Sequence, residues 1–160
     1  MFSNKNYFEV FGFPVTPDID IDALRNSWHS LQQKHHPDRR IISEDDVSSR
    51  INSAYNTLRD PFERIRYILS LHSALPTLED ELSIPTEFLE AHMKQQEVVF
   101  NGSYEQRMEV AEILSKDESS LRDKLFSDIR SANWDNARQN FMKWSFLLKT
   151  QQRLTELLDR

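Results

Sequence analysis

Residues 24–40 read LRNSWHSLQQKHHPDRR, and this stretch decides the fold of the first half of the chain. Leu24, Trp28 and Leu31 recur at i, i+4 and i+7, which is the spacing of one face of an α-helix. Pro37 disfavours helical backbone at the residue before it, so we expect the helix to end there. The stretch predicts an amphipathic helix that leads into a His-Pro-Asp loop.

Helical spacing continues along nearly the whole chain, and no segment shows the period of two that is typical of a strand. Between residues 72–85, Pro76, Pro85 and an acidic run break the pattern and indicate a linker. We predict an all-α fold with an N-terminal helical domain at 1–71 and, because long helices joined by short turns pack antiparallel, a three-helix bundle at 86–160.

Capping residues set the predicted helix starts. Asp20 is expected to cap the second helix, and Asp60 followed by Pro61 to open the fourth. Ser103 and Gln106 form the pattern of a capping box, and Asn133 is expected to cap the last helix. The residues expected to complete the N-terminal core are Tyr7, Leu24, Trp28, Leu31, Tyr55, Leu58 and Phe62.

Composition excludes several classes of function. The chain has 160 residues, a net charge of −6, two glycines and no cysteine. Glycine-rich nucleotide loops, cysteine-held metal sites and disulfides are therefore excluded, and an acidic chain is not expected to bind nucleic acid. No apolar run is long enough for a membrane span, and the N-terminus lacks the apolar core of a signal peptide, so we expect a cytoplasmic protein.

Catalytic and metal-binding patterns are weak. The acidic pairs of the chain fall on polar helix faces, where nothing raises a carboxyl pKa. His35 and His36 are neighbours at a helix end and point about 100° apart, which disfavours joint ligation of a metal. His92 is expected at the surface or the edge of the core. We predict no enzymatic activity, no metal and no cofactor.

The His36-Pro37-Asp38 loop, with the segment INSAYNTLRDP at residues 51–61, resembles a J-domain, the module with which J-proteins engage DnaK-class chaperones. The resemblance implies two antiparallel helices that expose the loop to the chaperone's ATPase domain and promote ATP hydrolysis. Beside this loop, nearby cations are predicted to dock on the chaperone rather than only face solvent. The predicted chaperone-binding residues are His36, Pro37, Asp38, Arg25, Lys34, Arg39 and Arg40.

Residues 59–72, RDPFERIRYILSLH, with the acidic linker and the Phe88-Leu89 and Phe146-Leu147 pairs, resemble the HscB co-chaperones of iron–sulfur cluster assembly over nearly the full chain. The resemblance implies that the J-domain stimulates the chaperone HscA and that the C-terminal bundle holds the cluster scaffold IscU. The implied scaffold-binding residues are Leu89, Met93 and Phe146, with Glu97 as a polar contact.

Two alternatives remain at this point. A hydrolase or metalloprotein would use His36 and Asp38, and a J-protein with another client would differ only in the C-terminal lobe. Leu89, Met93 and Phe146 also have the spacing of ordinary bundle core. The sequence departs from its relatives at His29, where J-domains usually have Lys, and at Lys94, where HscB proteins often have an acid.

Overall fold

The structure is a computed structural model that describes residues 5–34 and 45–159. Within these residues the chain forms eight α-helices and no strand, which confirms the all-α prediction. The residues of the His-Pro-Asp stretch lie outside the described residues, and so do the histidine before it and the two arginines after it: His35, His36, Pro37, Asp38, Arg39 and Arg40.

The helices follow one another with short connections. They are α1 (Tyr7–Phe11), α2 (Ile21–Lys34), α3 (Asp45–Arg59), α4 (Pro61–Leu71), α5 (Leu78–Leu82), α6 (Thr86–Asn101), α7 (Tyr104–Arg130) and α8 (Trp134–Leu158). Contacts divide the chain into two compact units, Met1–His72 and Ser73–Arg160. The functional assignment of these units stays a prediction.

In the first unit, α2 and α3 form an antiparallel helix pair. The Trp28 ring stacks on Tyr55 at a centroid distance of 4.7 Å, and its Nε1 donates to Asn52 Oδ1 at 3.0 Å. One turn further along α2, Gln32 Nε2 also donates to Asn52 Oδ1, at 2.6 Å. Trp28 contacts Tyr55, and Gln32, which is later in α2, contacts Asn52, which is earlier in α3. The two helices therefore run in opposite directions.

The predicted core of the first unit is only partly correct. Leu24 and Leu58 are fully buried, as expected. The other five predicted core residues are half-buried rather than fully buried. These five are Tyr7, Trp28, Leu31, Tyr55 and Phe62.

In the second unit, α6, α7 and α8 pack against one another as a three-helix bundle. Its core includes Val99, Val110, Leu114, Leu147 and Leu154. Burial of apolar side chains of this size stabilises the fold by roughly 1.5–3 kcal/mol each.

Polar contacts show the direction of the bundle helices. Gln95 of α6 contacts Asp117 of α7, while nearer the α6–α7 turn Arg107 donates to Val99 O. The helices α6 and α7 are therefore antiparallel, as their short connection predicts.

Most predicted helix starts are confirmed. Asp20 Oδ1 accepts from the backbone N–H groups of Asp22 and Ala23, and Asp60 Oδ1 accepts from Glu63 N–H at 2.9 Å. The capping box of Ser103 is complete. Asn133 precedes α8 but makes no side-chain capping bond, so its predicted role as a cap is wrong.

The predicted linker contains a helix that the sequence analysis missed. Thr77 and Asp80 cap α5 reciprocally, and Arg138 Nη1 of α8 lies 3.2 Å from Asp80 Oδ1. Hydrogen bonds to Thr77, and then the nearby Arg138 guanidinium, lower the pKa of the Asp80 carboxyl. This part of the predicted linker is therefore held against α8.

Candidate functional site

The cations predicted to dock on a chaperone are placed by α2. Arg25 and Lys34 are exposed, and Lys34 is the last residue of α2. Nine residues separate the two, which at 100° per residue places them on opposite sides of the Leu24 stripe. The structure does not bring Arg25 and Lys34 onto one continuous basic stripe.

Arg25 already has an acidic neighbour. Its Nη1 lies 3.2 Å from Asp22 Oδ1, and the two side chains are 54% and 82% exposed. A pair this exposed contributes little to stability, and it screens the Arg25 charge toward an approaching partner. Among the predicted cations that the structure describes, Lys34 is therefore expected to contribute more to attraction of an acidic surface.

A buried arginine holds together the elements that lead to the His-Pro-Asp segment. Arg64 of α4 donates through Nε to Pro17 O at 3.0 Å and through Nη1 to Leu58 O at 2.7 Å. Burial lowers the pKa of Arg64, and the nearby Asp18 and Asp60 carboxylates act in the opposite direction. Arg64 thereby fixes the segment before α2 to the end of α3.

The short helix α1 is joined to α4 through two tyrosines. Tyr7 N–H donates to Tyr67 Oη at 3.0 Å, and the two rings stack with centroids 4.4 Å apart. Burial raises the pKa of the Tyr67 phenol. This contact fixes the outer helices of the first unit.

The predicted scaffold-binding residues of the second unit differ in exposure. Leu89, Met93 and Glu97 are four residues apart and share one face of α6. Met93 is 68% exposed and Glu97 is exposed, whereas Leu89 and Phe146 are half-buried. The face is therefore an accessible surface with a partly packed edge.

Phe146 reaches α6 from α8 through aromatic contacts. Its ring lies 6.4 Å from Phe88 and 5.5 Å from His92, edge-on in both cases. Phe88 and His92 in turn stack with an interplanar angle of 3°. The structure thus places Phe146 beside α6, with its ring partly used in packing.

His92 was expected at the surface or the edge of the core, and the structure buries it. It is 96% buried, not at the surface, and its Nε2 lies 3.4 Å from Thr150 Oγ1. Burial lowers the pKa of the imidazole, and the adjacent Gln95 amide acts more weakly in the opposite direction. The i, i+4 spacing of Phe88 and His92 was the available signal for this inner face of α6.

The described residues include neither a metal-binding cluster nor a membrane-spanning helix. In residues 5–34 and 45–159, no group of three or more metal-ligating side chains could hold an ion. No helix in the described part of the chain combines the length and apolar character needed to cross a bilayer.

A helix pair with flanking helices, followed by a helical bundle, is an arrangement that HscB co-chaperones share, since they have an all-α J-domain and a C-terminal helical bundle. No protein-family model matches the chain. The co-chaperone protein HscB of Proteus mirabilis is 28% identical over 97% of this chain and 96% of its own length.

Solved structures of HscB proteins are also similar to this chain. The chaperone HscB from Vibrio cholerae is 25% identical, with a TM-score of 0.79 over 97% of this chain and 98% of that one. Human co-chaperone HscB shares the fold, with a TM-score of 0.88 and 21% identity over 97% of this chain and 83% of that one. The chain is a homologue of the HscB co-chaperones across most of its length.

Proposed function

We propose that the chain is a cytoplasmic co-chaperone that stimulates the ATPase of the DnaK-class chaperone HscA and delivers the iron–sulfur scaffold IscU to it. The observation that carries the proposal is the likeness to HscB proteins along both units, not only along the J-domain. Its relatives are co-chaperones, a non-enzymatic class. The chaperone, rather than this chain, would hydrolyse ATP.

At the chaperone end, the function rests on His36, Pro37 and Asp38, with Lys34, Arg25, Arg39 and Arg40 as supporting cations. The described start of this surface is the end of α2, which the hydrogen bond from Gln32 to Asn52 holds against α3. A carboxylate buried at an interface is costly unless it is paired, so Asp38 is expected to meet a cation on the chaperone.

At the scaffold end, the function rests on the α6 face of Leu89, Met93 and Glu97 with the neighbouring Phe146. Met93 and the half-buried Leu89 together place apolar surface on one accessible helix face, and contiguous apolar surface is what a partner would cover. Glu97 at its edge would contribute specificity more than affinity. Lys94 adds a positive charge next to Met93, so the scaffold contact is expected to include a matching carboxylate.

The direct test measures steady-state ATP hydrolysis by HscA with this protein, IscU, both or neither. We expect this protein alone to raise the rate and IscU to raise it further in its presence. Asp38→Asn should abolish both effects while the circular dichroism spectrum and IscU binding stay unchanged. Unfolding of Asp38→Asn would instead assign the loop a structural role.

A second variant tests the scaffold end by itself. Leu89→Ala/Met93→Ala should weaken IscU binding at least about tenfold, while basal stimulation of HscA without IscU is retained. The matched control is Leu78→Ala/Leu82→Ala, which removes two leucines of α5 that are 80% and 89% exposed. Normal stimulation of HscA without any binding of IscU would support a J-protein with a different client.

A further inference from the structure

Helices α6, α7 and α8 line an open cleft of about 320 Å³. This volume lies within the range of small-molecule sites, which is about 300–1,000 Å³. Its lining residues are Phe88, Ala91, His92, Gln95, Asp117, Ser120, Leu121, Lys124, Asn140, Lys143 and Leu147. Leu89, Met93, Glu97 and Phe146 are not among them, so the cleft adjoins the proposed scaffold surface at Phe146, which packs on Phe88 and His92, but shares no lining residue with it.

His92 gives the cleft a buried polar group without a partner. Its Nε2 is occupied by Thr150, whereas no described residue completes a hydrogen bond to its Nδ1. An unsatisfied buried nitrogen costs roughly 1–3 kcal/mol, so native structures keep few of them. When Nε2 accepts the Thr150 hydroxyl, the neutral imidazole carries its proton on Nδ1; because Nδ1 has almost no exposed surface, a ligand would accept that proton only after a local side-chain movement.

The charged side chains of the cleft indicate which charge a ligand would carry. Lys124 of α7 and Lys143 of α8 line the cleft, against a single carboxylate, Asp117. Gln95 Nε2 donates to Asp117 Oδ2 at 3.3 Å, so this carboxylate already has a neutral donor. The cleft therefore has a net positive charge and favours an anion.

The apolar side chains of the cleft indicate that the ligand also has an apolar part. Phe88, Ala91, Leu121 and Leu147 supply one apolar wall, and the Lys143 ammonium lies 5.8 Å from the centre of the Phe88 ring. An inorganic anion would leave this wall in contact with water. An acid with an aromatic or aliphatic body would cover it.

We propose that this cleft binds the carboxylate of an apolar organic acid, which pairs with Lys124 and Lys143 and accepts a hydrogen bond from His92. The ligand is either a free acid or the carboxyl end of a polypeptide with an apolar last residue. Both present the same group to the same side chains.

Isothermal titration calorimetry with the full chain tests the charge requirement. The probes are 3-phenylpropanoate and its uncharged isostere 3-phenylpropanamide. We expect the acid to bind at least about tenfold more tightly than the amide. Equal affinity, or no binding of the acid, would overturn the proposal.

The lysines are tested by the double variant Lys124→Gln/Lys143→Gln, which should reduce the affinity for the acid to that for the amide. Its matched control is Lys116→Gln/Lys149→Gln, with one exposed lysine on α7 and one on α8 that do not line the cleft. The control should bind the acid like the wild type. Equal loss in both double variants would show a general charge effect and refute the site.

Nuclear magnetic resonance of the histidine side chains supplies a second measurement. The ring signals of His92 should shift on titration with the acid, whereas those of the exposed His29 should not. An unchanged His92 signal would refute its role. N-acetyl-glycyl-phenylalanine and its C-terminal amide then distinguish the two sources: binding of this peptide acid supports a polypeptide end, and binding of 3-phenylpropanoate alone supports a free acid.

Discussion

Replacement of Phe146 by alanine separates packing from partner recognition at the proposed scaffold surface. The substitution removes edge-on contacts to Phe88 at 6.4 Å and to His92 at 5.5 Å. Aromatic pairs contribute about 0.5–1.5 kcal/mol each beyond buried area, and a fully buried Phe→Ala change costs about 3–5 kcal/mol. Because Phe146 is only half-buried, we expect a loss of about 2 kcal/mol from the free energy of unfolding.

Met93→Ala is the matched comparison, because Met93 lies on the same proposed surface but is 68% exposed. Its effect on the free energy of unfolding should be within about 0.5 kcal/mol. Both variants should weaken IscU binding at least about tenfold, which corresponds to about 1.4 kcal/mol. Phe146→Leu keeps much of the apolar volume and should recover most of the lost stability.

Chemical denaturation measures the stability of each variant, and calorimetry with IscU measures binding. Wild-type stability of Phe146→Ala would refute the assignment of Phe146 to the packed edge. Normal IscU binding by Met93→Ala would refute the scaffold surface itself. The two refutations are independent, since one concerns α8 against α6 and the other concerns a partner.

Three further predictions concern stability and charge. Arg64→Met should lower the free energy of unfolding of the first unit by about 3 kcal/mol in a denaturant titration, because it leaves two backbone carbonyls without donors. The control Arg66→Met, at an exposed position, should have little effect, and equal losses would refute the buried role of Arg64. Because burial lowers the pKa of His92, the unfolded state binds the proton first as pH falls, so thermal melting should show full stability above about pH 6.5 and a loss below it that His92→Gln lacks. Surface plasmon resonance should show that the association rate with HscA falls as the salt concentration rises. This dependence of the association rate on salt should be weaker for Lys34→Gln than for Arg25→Gln, because Asp22 already screens Arg25. Equal salt dependence of the two variants would contradict this order.

Local chemistry explains which helix boundaries the sequence predicts. Asp20, Asp60 and Ser103 each cap a helix through backbone N–H groups two or three residues away, so the signal and its effect lie in the same short segment. Asn133 has the residue type of a cap but not the bond. The preference of asparagine for the N-cap position therefore predicted where α8 begins, but the Asn133 side chain does not make the capping hydrogen bond.

Contacts between distant segments explain what the sequence did not predict. The helix α5 has only five residues, and Asp80 is placed against α8 by Arg138, which lies 58 positions away in the chain. His92 is buried because Phe88 and Phe146 enclose its ring from two helices. The contacts of Asp80 with Arg138 and of His92 with Phe146 join distant segments of the chain, so no local pattern predicts them.

Helix α6 was predicted from the sequence, but the sequence does not distinguish its packed face from its exposed face. It carries apolar or aromatic side chains on two faces, and the bundle uses the face of Val99, which is almost fully buried. The other face carries Leu89 and Met93, and Phe100 extends it by two turns from Met93.

Phe100 was not identified as a candidate from the sequence, yet it is 54% exposed, with the Arg153 guanidinium 5.7 Å from its ring centre. A helix that needs one apolar face for folding and keeps a second one exposed favours a partner that covers the second face. Phe100 is therefore expected to belong to the same surface as Met93, and the limits of that surface are set by the partner rather than by this chain's own packing.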